Sequence, residues 1–111
     1  MKKLIILILA LITPISSAYG WDGAKTGTIS MIDVETTGSN YGLRVQLNGE
    51  TSMCGTSASW AYVNVDAGNY DATASAFMLA YSTGKTVSIY SNIDSGGTYC
   101  KIGYVVLRPS P

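Results

Sequence analysis

The chain contains no histidine, and its 111 residues include only two cysteines, one phenylalanine and three prolines. Without an imidazole, Ser-His-Asp and Cys-His nucleophilic arrangements cannot be built. A zinc site would need about two ligands beyond the cysteines, and no histidine exists to supply them. Charge is also scarce, at 13% of residues. No run of Lys or Arg occurs, so the phosphate attraction behind nucleic-acid binding has no source. Docking on an anionic bilayer lacks one for the same reason. No phosphate-binding glycine loop, dinucleotide fingerprint or calcium-loop spacing is present. Asp94-Ser95-Gly96-Gly97 offers one carboxylate, too few for calcium, and reads as a hairpin turn. Asp33 and Glu35 lie two apart on one strand face, whereas paired glycosidase carboxylates flank their substrate from opposite sides. These two read as a solvated face. The expectation is a protein that is not an enzyme and carries neither cofactor nor metal.

What the chain does have begins at its N-terminus. Lys2 and Lys3 precede the unbroken apolar run Leu4–Ile12, Pro14 breaks it, and the small residues Ser16, Ser17 and Ala18 follow. The run is shorter than the ~20 apolar residues that span a bilayer, and suits a cleaved export signal. Residues 1–20 are therefore expected to be a signal peptide cleaved after Ala18 or Gly20, leaving 21–111 as a single secreted or periplasmic domain without stable membrane insertion. That domain holds five Lys and Arg against seven Asp and Glu, a net charge of −2. Its surface must be built largely of Ser, Thr, Asn, Gly and Tyr, a composition that suits neutral hydrogen-bonding partners such as sugars.

Both cysteines, Cys54 and Cys100, lie in this exported part. In an oxidising compartment an even pair with no further metal ligands reads as a disulfide, with two free thiols or a shared metal as the rival readings. The loop it would close is long, for which chain entropy gives roughly 4 kcal/mol. A domain of this size has a small core, so such a constraint matters.

Hydrophobic periodicity gives three strands, one helix, then two strands. Thr26–Thr36 is β-rich, but its apolar phase runs Ile29, Met31 and then slips to Ile32, Val34. A one-residue slip turns side chains to the opposite face unless a bulge absorbs it. Tyr41, Leu43, Val45 and Leu47 alternate with Gly42, Arg44 and Gln46 as a second strand, ended by Asn48-Gly49. Trp60–Val65 forms a third, with Ala61, Val63 and Val65 on one face and Trp60 and Tyr62 on the other. The period then changes to 3.6. Asn69 suits an N-cap, Asp71 favours the positive end of the helix dipole, and Tyr70, Ala74, Phe77, Met78 and Tyr81 align as one stripe. Gly84 can end the helix in the left-handed conformation. Thr86–Ser91 and Tyr99–Leu107 are strands four and five. The expected fold is mainly β: a small five-stranded barrel of the oligonucleotide/oligosaccharide-binding (OB) type, with one α-helix between strands 3 and 4. An open α+β sheet with one helix on its face is the alternative.

Eight Tyr and two Trp accompany the single Phe. These side chains combine an apolar face with a polar tip, which suits sugar stacking and protein interfaces. Tyr70 and Tyr81 fall on the helix stripe. Trp60, Tyr62, Tyr90 and Tyr99 lie on strands, where they either pack the barrel or form an outward glycan or subunit surface.

Three stretches carry a resemblance: Trp21-Asp22-Gly23, Thr26-Gly27-Thr28-Ile29, and the helix–strand junction Ala80–Tyr90 (AYSTGKTVSIY) with its aromatic-Ser-Thr-Gly-x-x-Val run. Here the chain resembles the small exported B subunits of bacterial toxins, the subtilase cytotoxin and typhoid toxin group, and a set of uncharacterised exported proteins of the same size. The resemblance implies an OB barrel, a homo-oligomeric ring of five, and binding of sialylated glycans. In that group a hydroxyl residue near the first strand holds the sugar, and the matching position is Thr26. The leading expectation is thus a non-enzymatic glycan-binding protein using Thr26, Trp60, Tyr62 and Tyr90. The alternative is a structural or inhibitory periplasmic protein acting through protein contacts.

Overall fold

A computed structural model describes residues 20–109. The expected leader, apart from Gly20, lies outside the described residues. Five strands, β1 (Gly23–Val34), β2 (Leu43–Leu47), β3 (Trp60–Val63), β4 (Thr86–Ile93) and β5 (Cys100–Leu107), accompany one helix, α1 (Tyr70–Thr83), between β3 and β4. The strands close on themselves in the order β1-β2-β3-β5-β4. The mainly β, five-stranded OB-like class read from the sequence is the fold observed. No helix among the described residues is long and apolar enough to cross a membrane.

Closure depends on β1 serving two neighbours. Its first half, Gly23–Thr28, pairs antiparallel with β4, and its second half, from Ile29 onward, pairs with β2. The switch falls at the phase slip. The register shifts between Ile29 and Met31, so Ser30 is the extra residue of a bulge that bends the strand. Ile29 is thereby buried and Ile32 packs against the core, while Met31 and Val34 are exposed. β1 starts at Gly23, three residues earlier than expected. Gly23, Ala24 and Gly27 are too small to signal a strand by hydrophobic alternation, and only the β4 ladder makes them one. The second and third strands are shorter than their patterns. Tyr41 has φ 57°, outside strand geometry, and Val65 lies beyond β3 and is exposed.

The seam between β3 and β5 is parallel and short, with Ala61 opposite Cys100 and Tyr62 opposite Lys101. Here the disulfide stands: Cys54 and Cys100 are bonded, with Cα atoms 5.7 Å apart. Both sulfurs lie inside the core. The covalent link therefore reinforces the ladder with the fewest paired residues.

Leu43, Val45, Leu47, Ala61, Val63, Val87, Ile89 and Ile102 fill the interior from the strands, and Phe77 and Ala80 close one end from α1. The expected helix stripe is only partly right. Tyr70 packs on the core, but Met78 and Tyr81 are about half exposed, and so is Leu79. The short barrel end accepts one large ring, Phe77, with Ala80 one turn on. A stripe spanning three full turns has no surface to cover. Asn69 occupies the N-cap position without a side-chain cap bond, at φ −119° and ψ 40°. Gly84 does terminate the helix in the left-handed region at φ 73°, and the Lys85 N–H reaches the Ala80 carbonyl at 3.1 Å.

Candidate functional site

The four residues singled out from the sequence fall on two different surfaces. Thr26 and Tyr90 belong to the outward face of β1, β4 and β5. Trp60 and Tyr62 belong to β3, where Tyr62 stands opposite Arg44 and Trp60 opposite Gln46 of β2.

On the first surface, side chains form rows across the sheet. Ala24, Tyr90 and Tyr104 make one row, and Thr26, Ser88 and Val106 the next. Thr28 and Thr86 follow, and the Arg108 N–H donates to the Thr86 carbonyl at 2.8 Å, so Arg108 ends that third row. The alternate residues of β4, Val87 and Ile89, point into the core. Ser88 Oγ accepts a hydrogen bond from Arg108 Nε at 2.6 Å and shares one with Thr26 Oγ1 at 2.7 Å. Arg108 lying across it leaves Ser88 only 2% exposed, whereas Thr26 is exposed. Among the described residues the single ion pair is Lys25–Glu50 at 3.5 Å, so Arg108 meets no carboxylate there.

Beside this polar patch sits a group of three rings. Tyr90 lies 5.3 Å from Tyr104 and 6.0 Å from Trp21, centroid to centroid, in tilted or edge arrangements. Trp21 covers Gly103, where a Cβ would come within 2.4 Å of Trp21 Cζ3. Gly103 is the extra residue at the register shift between β4 and β5, because Tyr90 pairs with Tyr104 and Ser91 with Ile102. The bulge and the missing side chain together seat the indole. Asp22 fixes the approach: its N–H donates to Asn92 Oδ1 at 2.9 Å, and its Oδ2 accepts from the Ile93 N–H at 2.8 Å. Trp21 and Tyr104 stay 40% and 55% exposed.

The second surface is packed tight. Trp60 stacks on Tyr99 with centroids 4.7 Å apart and planes 17° apart, and the Arg44 guanidinium lies 5.4 Å from the Trp60 ring. Tyr41 touches Trp60, Tyr62 and Tyr99 at 5.8, 4.8 and 5.0 Å. Its left-handed backbone is unfavourable for a bulky residue, and the three ring contacts hold it there. Tyr62 is buried, and its hydroxyl donates to Asp94 Oδ2 at 3.0 Å. Burial, then the hydrogen bond to Asp94 and that carboxylate's charge, push the Tyr62 hydroxyl up to about 12. Partial desolvation raises the Asp94 carboxyl. The bonds from Tyr62 and from the backbone of Tyr99, Thr98 and Gly97 outweigh it and hold Asp94 below its ordinary value. Trp60 and Tyr62 thus have their rings and hydroxyl engaged within the protein.

The sequence alone gives no site role to Ser88, Arg108, Trp21 and Tyr104. Period-two alternation in Thr86-Ser88-Tyr90 and Tyr104-Val106-Arg108 was there to be read. What made a site of it was the pairing of β1 with β4, some 60 residues apart, and no local pattern encodes that. The fold and the patch together define a class: a disulfide-linked, five-stranded OB-like domain with an aromatic and hydroxyl-rich sheet face. No protein-family model, curated protein or solved structure matches the chain.

Proposed function

We propose that this chain is an exported, non-enzymatic binding protein whose ligand is a glycan, held on the β1–β4–β5 face. The observation that carries this reading is the joining of two complementary features on one surface. Thr26 and Arg108 present a hydroxyl and a guanidinium, both bonded to the buried Ser88 hydroxyl beneath them, and Trp21 and Tyr104 supply exposed ring area on either side of the half-buried Tyr90. Saccharides offer hydroxyls to the first and C–H faces to the second, and Tyr and Trp provide apolar area with a polar edge. Thr26 and Tyr90 act here directly, and Trp60 and Tyr62 act from beneath by fixing the β2–β3 side of the barrel. The buried disulfide supports maturation in an oxidising compartment, secreted or periplasmic.

The test is a glycan array probed with the matured protein, followed by titration of each hit against Thr26→Ala and Tyr90→Ala. Binding that falls at least fivefold in both variants, with unchanged melting temperature, supports the assignment. An array without hits, or hits indifferent to both substitutions, would remove it.

A second reading rests on a different observation. Met78, Leu79 and Tyr81 on α1 are each about half exposed, an apolar surface of the kind that marks protein contacts. On this reading the chain acts through a protein partner, a further copy of itself in a ring included. Light scattering of the wild type against Leu79→Glu decides it: a monomer in both, with no protein captured from periplasmic extract, excludes it.

A further inference from the structure

The groove between α1 and β5 adjoins the patch just described and shares two of its residues. It is an open groove of about 300 Å³, lined by Asn69, Ala72, Thr73 and Ala76 of the helix side and by Gly103, Tyr104 and Val105 of β5. Gly103 and Tyr104 are shared: one carries the Trp21 indole, and the other stacks its edge against Tyr90. The volume is at the small end of ligand sites. Two polar groups in it are unused by the fold. Asn69 leaves the helix uncapped, so its carboxamide is free to act as donor and acceptor. Thr73, one turn later on the same helix face, makes its hydrogen bond to Asn69 through backbone N–H rather than hydroxyl. Ala72 and Ala76 beside them keep the wall low, and no charged side chain lines the groove.

We infer that the α1–β5 groove is a second subsite for a neutral saccharide unit, so that the ligand is an oligosaccharide running from Thr26 across Tyr90 and Tyr104 to Asn69 and Thr73. The inference rests on the glycan reading of the β1–β4–β5 face and adds chain length to it. Thr26 and Tyr104 are separated by two strand spacings and two residues of rise, roughly 12 Å, more than a single pyranose ring can touch at both ends. Tyr104, the most exposed ring of the three, stands between the two ends as a stacking platform. The amide, hydroxyl and aromatic groups of a lining without a charged side chain suit a neutral unit in the groove, whatever the first unit carries.

The experiment uses the matured full domain and an array bearing mono-, di-, tri- and tetrasaccharides of common hexoses, N-acetylhexosamines and sialic acids. The best terminal structure is then titrated as its own length series, with amide chemical shifts followed for each length. The expected result is an affinity gain of at least tenfold from monosaccharide to tri- or tetrasaccharide. Shifts at Asn69, Thr73 and Tyr104 then accompany only the longer ligands. Ala72→Gln, which narrows the groove from an exposed helix position, should remove most of that gain and leave monosaccharide binding as it was. An affinity independent of length, or shifts confined to Thr26, Ser88 and Tyr90, overturns the groove subsite while the first reading stands. Binding to no saccharide of any length overturns both.

Discussion

Two aromatic groups of similar composition sit on this small barrel, and they have opposite physical states. Around Trp60 the rings face one another: Tyr41, Tyr62 and Tyr99 surround it, Arg44 lies against it, and the Tyr62 hydroxyl is bound to Asp94. Around Tyr90 the rings are tilted, Trp21 rests on a glycine and stays partly exposed with Tyr104, and the exposed Thr26 and Arg108 meet over the buried Ser88 hydroxyl. Ring count does not distinguish a scaffold from a binding surface. Exposure does, because a ring packed among other rings has no face left for a ligand, whereas a hydroxyl that makes one bond and still meets solvent, as Thr26 does, keeps capacity for another.

The contrast predicts a separation between stability and binding. The largest effect on stability should come from neither group but from the link that closes the barrel. Cys54→Ser with Cys100→Ser is expected to cost 2–5 kcal/mol in denaturant unfolding, the range for native disulfides of small secreted domains. Because the bond stands at the short β3–β5 ladder, hydrogen exchange should accelerate first there. Uniform acceleration over all five strands would show that the seam is not the weak point.

Next comes Trp60→Ala, expected to lower stability by about 2 kcal/mol, less than a fully buried Trp because the side chain is only half buried. Tyr104→Ala should change stability by less than about 0.5 kcal/mol, as surface substitutions do, and should weaken glycan binding instead. If the two substitutions exchanged these effects, the comparison would be inverted. Thermal melts beside glycan titrations read both outcomes.

A smaller effect concerns Asp94. Its carboxyl is held below the ordinary carboxylate value, near 4, so the native state binds a proton less readily than the unfolded chain. The stabilisation is therefore present at neutral pH and is lost as pH falls through the folded value. Asp94→Asn should melt below wild type at pH 7, and the gap should close below about pH 4. Tyr62→Phe, which removes the hydroxyl from the same contact, should cost about 1 kcal/mol at pH 7. A gap that widened in acid would show that Asp94 is not held by these bonds.

The smallest change is Gly103→Ala. The added Cβ would meet the indole rather than backbone, so the exposed Trp21 ring moves and the barrel does not. A shift in tryptophan emission with an unchanged melting temperature is expected; a large loss of stability would mean that Trp21 belongs to the core.

Much of the architecture was legible along the chain. The alternation in Leu43-Val45-Leu47, the change of period after Val65 and the glycine at 84 are local signals, and each marks an element that exists. Even the bulge in β1 could be seen, because a phase slip in an apolar pattern is a one-dimensional trace of a three-dimensional bend. Other parts were misread where the local pattern was overridden. Met78 and Tyr81 fit the helix stripe and yet are about half exposed, since the barrel end takes Phe77 and Ala80 fully and Tyr70 in part. Asn69 stands at the N-cap as its residue type suggests, but its side chain makes no cap bond, which residue type alone does not reveal.

The candidate site was half visible. Resemblance and strand aromatics pick out Thr26 and Tyr90 on the open face and equally Trp60 and Tyr62 on the packed one, because ring type and strand position do not tell whether a ring face is taken. By itself the amino-acid sequence determined the strand and helix inventory, the kink in β1, the lack of a histidine base and the availability of one cysteine pair, because all of these are properties of composition and short-range spacing. Only the tertiary structure decided which strands meet, that Thr26, Ser88 and Arg108 share a network, and which aromatics stay open. Those outcomes depend on pairing between residues some 60 positions apart, and that is set by the closing of the sheet as a whole.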